Sequence, residues 1–207
     1  MPRPKYFDID PVAAVTNDIC LSQTKASSGA LTLDGAKAGT TLDFARQISI
    51  YSSANIAARV FTVVGTDANG RSITDTVTGI NNGTVSTTKY FKTVTSISVD
   101  ASFSPNTIIA GTSAAIATAI SPLDHYCTVP AQVTVELVSG TATFSVQETY
   151  SPLDSTADEV WITPSALNAK NATLTAPLDQ SAKGCRLVTS AISSPNINFI
   201  IHQANGK

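Results

Sequence analysis

The stretch from residue 59 to residue 79, Arg-Val-Phe-Thr-Val-Val-Gly-Thr-Asp-Ala-Asn-Gly-Arg-Ser-Ile-Thr-Asp-Thr-Val-Thr-Gly, constrains the fold most strongly. Two runs rich in Val, Ile and Thr flank Asp67-Ala68-Asn69-Gly70. Asn69 and Gly70 accept positive φ at low cost, so the chain can reverse here and pair its flanks as a hairpin. On this reading Asp67, Asn69 and Gly70 are turn residues with a structural role. Runs of Val, Ile and Thr punctuated by Gly, Asn, Ser and Pro fill most of the remaining chain. The expected fold is therefore all-β, and few side chains are left for chemistry.

A length of 207 residues accommodates one large sandwich or two small β domains. Hydrophobic residues make up 43%, enough for a substantial core. Charged residues make up only 14%, against roughly 25% in ordinary soluble domains. A surface so poor in charge has to be built from Ser, Thr, Asn and Ala, which suits a protein packed against neighbours. The net charge is −2, and the basic residues form no stripe able to neutralise a row of phosphates, so no nucleic-acid partner is expected. No stretch approaches the ~18 uninterrupted apolar residues of a membrane span. The opening decapeptide, Met-Pro-Arg-Pro-Lys-Tyr-Phe-Asp-Ile-Asp, has no apolar run of the secretory type. Synthesis and folding in a cytoplasm are expected.

Residues 1–17 hold Pro2, Pro4 and Pro11 and few periodic apolar positions, and read as an extended arm. Tyr6, Phe7, Ile9 and Val12 are its candidate docking residues. Residues 18–113 read as a first β-sandwich domain. Residues 47–51 alternate, and residues 60–65 and 73–78 form the hairpin. Ile80-Asn81-Asn82-Gly83 reads as a turn. Phe91, Thr93, Thr95, Ile97 and Val99 fall on one face of a strand, with Lys92, Ser96 and Ser98 on the other. Residues 114–124 lie in the one stretch with helix-like Ala content, which Pro122 limits, and read as a linker between two β units. Residues 125–207 read as a second β-sandwich domain. There, residues 132–138 and 141–149 are strands joined by a turn at Ser139-Gly140. Ser-Pro-Leu-Asp at 121–124 and 151–154, with Ala-Pro-Leu-Asp at 176–179, is recurrent turn chemistry: Pro fixes φ and Asp bonds to local backbone.

Candidate reactive groups are sparse. His125 and His202 are the two histidines, and Cys20, Cys127 and Cys185 are the three cysteines, odd in number and in no Cys-x-x-Cys pair. Buried thiols acting as small hydrophobes are expected, without a disulfide framework or zinc site. Strand alternation puts His125 and Cys127 on one face, but no third group orients them as a nucleophilic pair. Asp8/Asp10 and Asp158/Glu159 do not present two carboxylates across a cleft. The loop from Asp67 resembles half of a calcium loop, yet its twelfth position is Thr78 where a bidentate Glu is needed. Trp161, the single tryptophan, is assigned to the core. No catalytic residue, metal or cofactor is expected.

Residues 61–99 resemble a block that recurs in tailed-bacteriophage virion proteins. The matching elements are Gly65-Thr-Asp-Ala-Asn-Gly70, then Gly79-Ile-Asn-Asn-Gly-Thr-Val85, then Lys89-Tyr-Phe-Lys-Thr-Val94. Residues 140–147 and 184–190 resemble the C-terminal part of such proteins. The resemblance implies two small antiparallel sandwiches, Ig-like or jelly-roll-like, and a non-enzymatic structural subunit of a virion. A capsid decoration or cement protein is the leading expectation. A neck or tail-attached subunit (collar, nozzle or fibre anchor) is the alternative, and a carbohydrate-binding or adhesin-like module is the rival class. The expected partners are further copies of the chain and other virion proteins, such as the major capsid protein or neck and tail proteins.

Overall fold

The computed structural model describes residues 4–124, 129–153 and 159–203. Among these residues there is no α-helix, and a 3-10 turn, Ser165–Leu167, accompanies the strands. In chain order these are β1 (Lys5–Ile9), β2 (Cys20–Gln23), β3 (Gly29–Ala30), β4 (Ala45–Asn55), β5 (Val60–Thr66), β6 (Ser72–Thr78) and β7 (Asn81–Ser86). They continue with β8 (Thr93–Val99), β9 (Ile108–Ala117), β10 (Ser121–Pro122), β11 (Gln132–Thr149), β12 (Trp161–Ile162), β13 (Leu174–Pro177) and β14 (Gly184–His202). The fold is all-β, antiparallel and of sandwich type. The chain divides into two compact units: Ala14–Ile116, and Met1–Ala13 together with Ala117–Lys207.

In the first unit β5 and β6 form the expected hairpin, in register from Val60↔Thr78 to Thr66↔Ser72. Alternation buries Phe61 and Val63 on one face of β5 and turns Thr62 towards the other. Strand β8 pairs with the free side of β5, and β3 with β8, giving the order β3-β8-β5-β6. A second layer runs β9-β4-β7, with β2 on β9. Ile48, Ile50, Phe61, Val63 and Ile97 are completely buried, and Phe61 meets Phe103 at 6.0 Å between ring centroids. Two sheets each hiding one apolar face are the standard solution for a β chain of this composition.

Two readings of this unit change. The register between β5 and β8 shifts between Val64 and Gly65, so the buried residues of β8 are Val94, Ile97 and Val99, and Thr95 is exposed. A bulge adds one residue and breaks the period-2 count that had placed Thr93 and Thr95 inside. Ile80–Gly83 is not a free turn either. Asn81 opens β7, which pairs with β4, and Asn82 takes φ 49 inside the strand, a conformation Asn tolerates better than most residues.

The second unit is built on β11 and β14, which pair antiparallel over almost their whole length. The expected turn at Ser139-Gly140 does not form. Both halves of β11 pair with β14, and register shifts on either side of Ser139 mark a kink. Gly140 sits there at φ +68, and a Cβ on it would lie 2.1 Å from the Ser194 carbonyl oxygen, so only glycine fits. Across the kink the buried positions of β11 switch from Val133 and Val135 to Ala142, Phe144 and Val146. Strand β13 pairs with the first half of β11, and β12 with the second.

The N-terminal segment is not an independent arm. Strand β1 pairs antiparallel with β14, from Lys5↔Ile201 to Ile9↔Ile197. Ile9 is completely buried, and the Phe7 ring stacks on Phe199 at 5.8 Å. Residues 114–124 likewise hold the end of β9 and all of β10, with no helix. The boundaries expected at residues 17, 113 and 124 therefore give way to a division inside β9, with residues 1–13 belonging to the second unit. One buried side chain, a half-buried ring on Phe199 and a ladder outweigh the low apolar count that made this segment read as free.

Candidate functional site

Asp67, Asn69 and Gly70 come together as the hairpin turn. The Asp67 carboxylate accepts from the Asn69 N–H (2.8 Å) and the Arg71 N–H (2.9 Å), and binds the Arg71 guanidinium at 2.8 and 2.6 Å. Its oxygens are thus filled by the protein's own donors, and the geometry is that of an Asx turn clamped by an ion pair. Gly70 has φ +79. Gly70→Val is expected to cost roughly 1–2 kcal/mol or more through backbone strain. Asp67→Ala is expected to cost about 1–2 kcal/mol because four N–H donors lose their acceptor. Equilibrium urea unfolding of both variants checks these values. Stabilisation of the wild type by added calcium would contradict the assignment.

Of the other sequence candidates, Tyr6 and Val12 are exposed, whereas Phe7 and Ile9 face the core. His202 is exposed at the end of β14. His125, Cys127 and Asp158 lie outside the described residues. Cys20 and Cys185 are buried free thiols. Trp161 is half-buried rather than a core residue, with the Arg186 guanidinium 3.9 Å over its ring. Arg186 also donates to Gln147 Oε1 at 2.9 Å. Among the described residues, no group of three or more His, Cys, Asp or Glu is placed to hold a metal ion.

Three polar clusters escape sequence inspection. In the first unit Arg46, 1% exposed, donates to both Asp43 carboxylate oxygens (2.8 and 2.6 Å) and to the Ser113 carbonyl (3.1 Å). An arginine as the one charged residue of the strand Ala45–Asn55 was the only signal available. In the same unit Cys20 Sγ lies 2.7 Å from Gln23 Nε2, and the Gln23 amide pairs with both main-chain groups of Thr32. In the second unit Glu148, 2% exposed, accepts from the Asp179 N–H at 2.9 Å, and the Tyr150 hydroxyl reaches Glu148 Oε2 at 3.3 Å. Cys185 faces Glu148 across the ladder. Lys5 Nζ lies nearby, donating to Ser121 Oγ (3.3 Å) and to the Pro122 carbonyl (3.1 Å).

The electrostatics of this last cluster favour neutral groups. Burial, reinforced by the Glu148 charge, pushes the Cys185 thiol up to about 12. Burial and then the charges of Glu148 and Asp179 raise Tyr150 to about 12. A thiol held protonated is a poor nucleophile. Both groups titrate later folded than unfolded, so their contribution to stability is complete below about pH 9 and is lost as the pH rises towards 12. The melting temperature is expected to hold from pH 7 to 9 and then fall, and Tyr150→Phe should flatten part of that decline. A melt unchanged to pH 11 would contradict this assignment.

The surface offers uncharged strand faces. Thr74, Thr76 and Thr78 are exposed on β6, and Thr95 on β8. Val160 and Ile162, at 68% and 48% exposure, flank Trp161 on β12. An open groove of about 370 Å³ runs beside β13, lined by Ala166, Lys170, Thr173 and Leu174 among others. No protein-family model, curated protein or solved structure gives a significant match to the chain.

Proposed function

We propose that this chain is a non-enzymatic structural subunit of a bacteriophage virion, in the first place a capsid decoration protein. The observation that carries the reading is the character of the exposed strands. Their side chains are hydroxyls and isolated apolar groups, as on β6 and β12, and only 14% of the chain is charged. Such strands associate through main-chain pairing and apolar packing. The buried ionisable groups support the same reading, because Arg46, Glu148 and Asp18 are spent on holding backbone and neighbours in place. Asp18, for example, accepts from both the N–H and the hydroxyl of Thr112 at 2.9 Å. The resemblance of residues 61–99 to virion blocks points in the same direction.

A neck or tail-attached subunit remains the alternative within the class. The carbohydrate-binding reading gains little, since Trp161 already has one ring face occupied by Arg186. Quantitative mass spectrometry of purified particles of the encoding phage tests the proposal. Copies comparable in number to the major capsid protein support decoration. Copies in the number of a single ring support the neck or tail. Absence of the chain from particles overturns the proposal.

A further inference from the structure

Cys20 and Gln23 lie three residues apart on β2, a spacing that a regular strand places on opposite faces. Here they touch. The pairing of β2 with β9 runs Cys20↔Ala110 and then Gln23↔Ile108, so β2 carries one extra residue between the two positions. That bulge turns the Gln23 side chain back onto the Cys20 side.

The contact is close. Cys20 Sγ and Gln23 Nε2 are 2.7 Å apart, a separation usual for N–H···O bonds but short for the larger sulfur atom. The amide is also fixed on both sides. Gln23 Nε2 donates to the Thr32 carbonyl at 2.8 Å, and the Thr32 N–H donates to Gln23 Oε1 at 3.0 Å. The second of these bonds ends on the oxygen that gains charge when the amide carbon is attacked, the role of an oxyanion donor. Cys20 is completely buried, which shields a thioester at its sulfur from hydrolysis, while Gln23 is only half-buried.

We propose that Cys20 and Gln23 close an internal thioester. The Cys20 sulfur attacks the Gln23 amide carbon, an S–C bond forms, the C–Nε2 bond breaks, and the nitrogen leaves as ammonia carrying the thiol proton. No oxidant or reductant takes part. In water the exchange runs uphill, and burial pushes the Cys20 thiol up to about 11, so contact between the two groups, not thiolate character, is what promotes the exchange here. The product is an acyl group at a half-exposed position, able to pass to a primary amine, such as a lysine side chain of an adjacent protein. An amide then forms and the Cys20 thiol is released.

Intact mass spectrometry of the freshly purified full-length protein, denatured in acid, tests this. The wild type is expected to be lighter than its sequence mass by one ammonia. Incubating the native protein with methylamine is expected to convert that species to one heavier by one methylamine. Cys20→Ala and Gln23→Glu are both expected at their full sequence masses and inert to methylamine. Gln23→Glu retains the side-chain shape and an oxygen to accept from the Thr32 N–H, and a thermal melt confirms that it folds. Wild type at its full sequence mass, unlabelled by methylamine, would overturn the proposal and reduce the contact to a hydrogen bond.

Discussion

Arg46→Ala is expected to destabilise the first unit by about 2–4 kcal/mol, since a fully buried side chain and its hydrogen bonds are lost while its partner Asp43 stays in reach of water. Arg46 is 1% exposed, and its hydrogen bonds include two to Asp43 and one to the Ser113 carbonyl. Truncation removes these donors and opens a cavity beside Phe91, whose backbone bridges that of Arg46. Arg46→Met removes the same charge but refills much of the volume, and should therefore recover part of the loss. Chemical denaturation of the two variants measures the difference. Equal stability of wild type and Arg46→Ala would show that the pair contributes nothing.

Deleting residues 1–9 is expected to have an effect of similar size on the second unit. Ile9 and Phe7 leave the core, and Ile197, Phe199 and Ile201 lose their partners on β1. The fully buried Ile9 at about 1.5–3 kcal/mol and the half-buried Phe7 at about half as much imply a loss of roughly 2–4 kcal/mol, before the lost ladder bonds. The deletion should therefore abolish or strongly broaden the melt of this unit. Tyr6→Ala and Val12→Ala, at exposed positions, should leave the melt within about 0.5 kcal/mol of wild type. An unchanged melt after the deletion would show that β1 is dispensable and that the segment acts as an arm.

The hairpin of β5 and β6 was legible because Asn69-Gly70 announces a turn and the flanks alternate, two independent signals that agree. The all-β class followed from the same grammar repeated along the chain. What sequence could not show were the places where strands depart from period 2. The extra residue in β8 hid Val94, and the one in β2 hid the meeting of Cys20 with Gln23. Gly140 is equally compatible with a hairpin turn and with a kink in a longer strand, and only the partner strand distinguishes them. Here β14 pairs with both halves of β11. The N-terminal strand was misread for a related reason. Two inward residues, Phe7 and Ile9, are too few to register as periodic, yet a neighbouring strand makes both count. Candidate chemistry suffered most, since each polar cluster joins residues that only long-range pairing brings together, as with Glu148 and Asp179.

The central claim is that the subunit is held in its particle by backbone pairing and apolar contact. A salt wash of purified particles tests it most directly, since ~0.5 M salt screens exposed charge pairs and leaves apolar burial intact. The chain should remain with the sedimented particles at that salt and be released only by urea or detergent. Its release into the supernatant by salt alone would contradict the account.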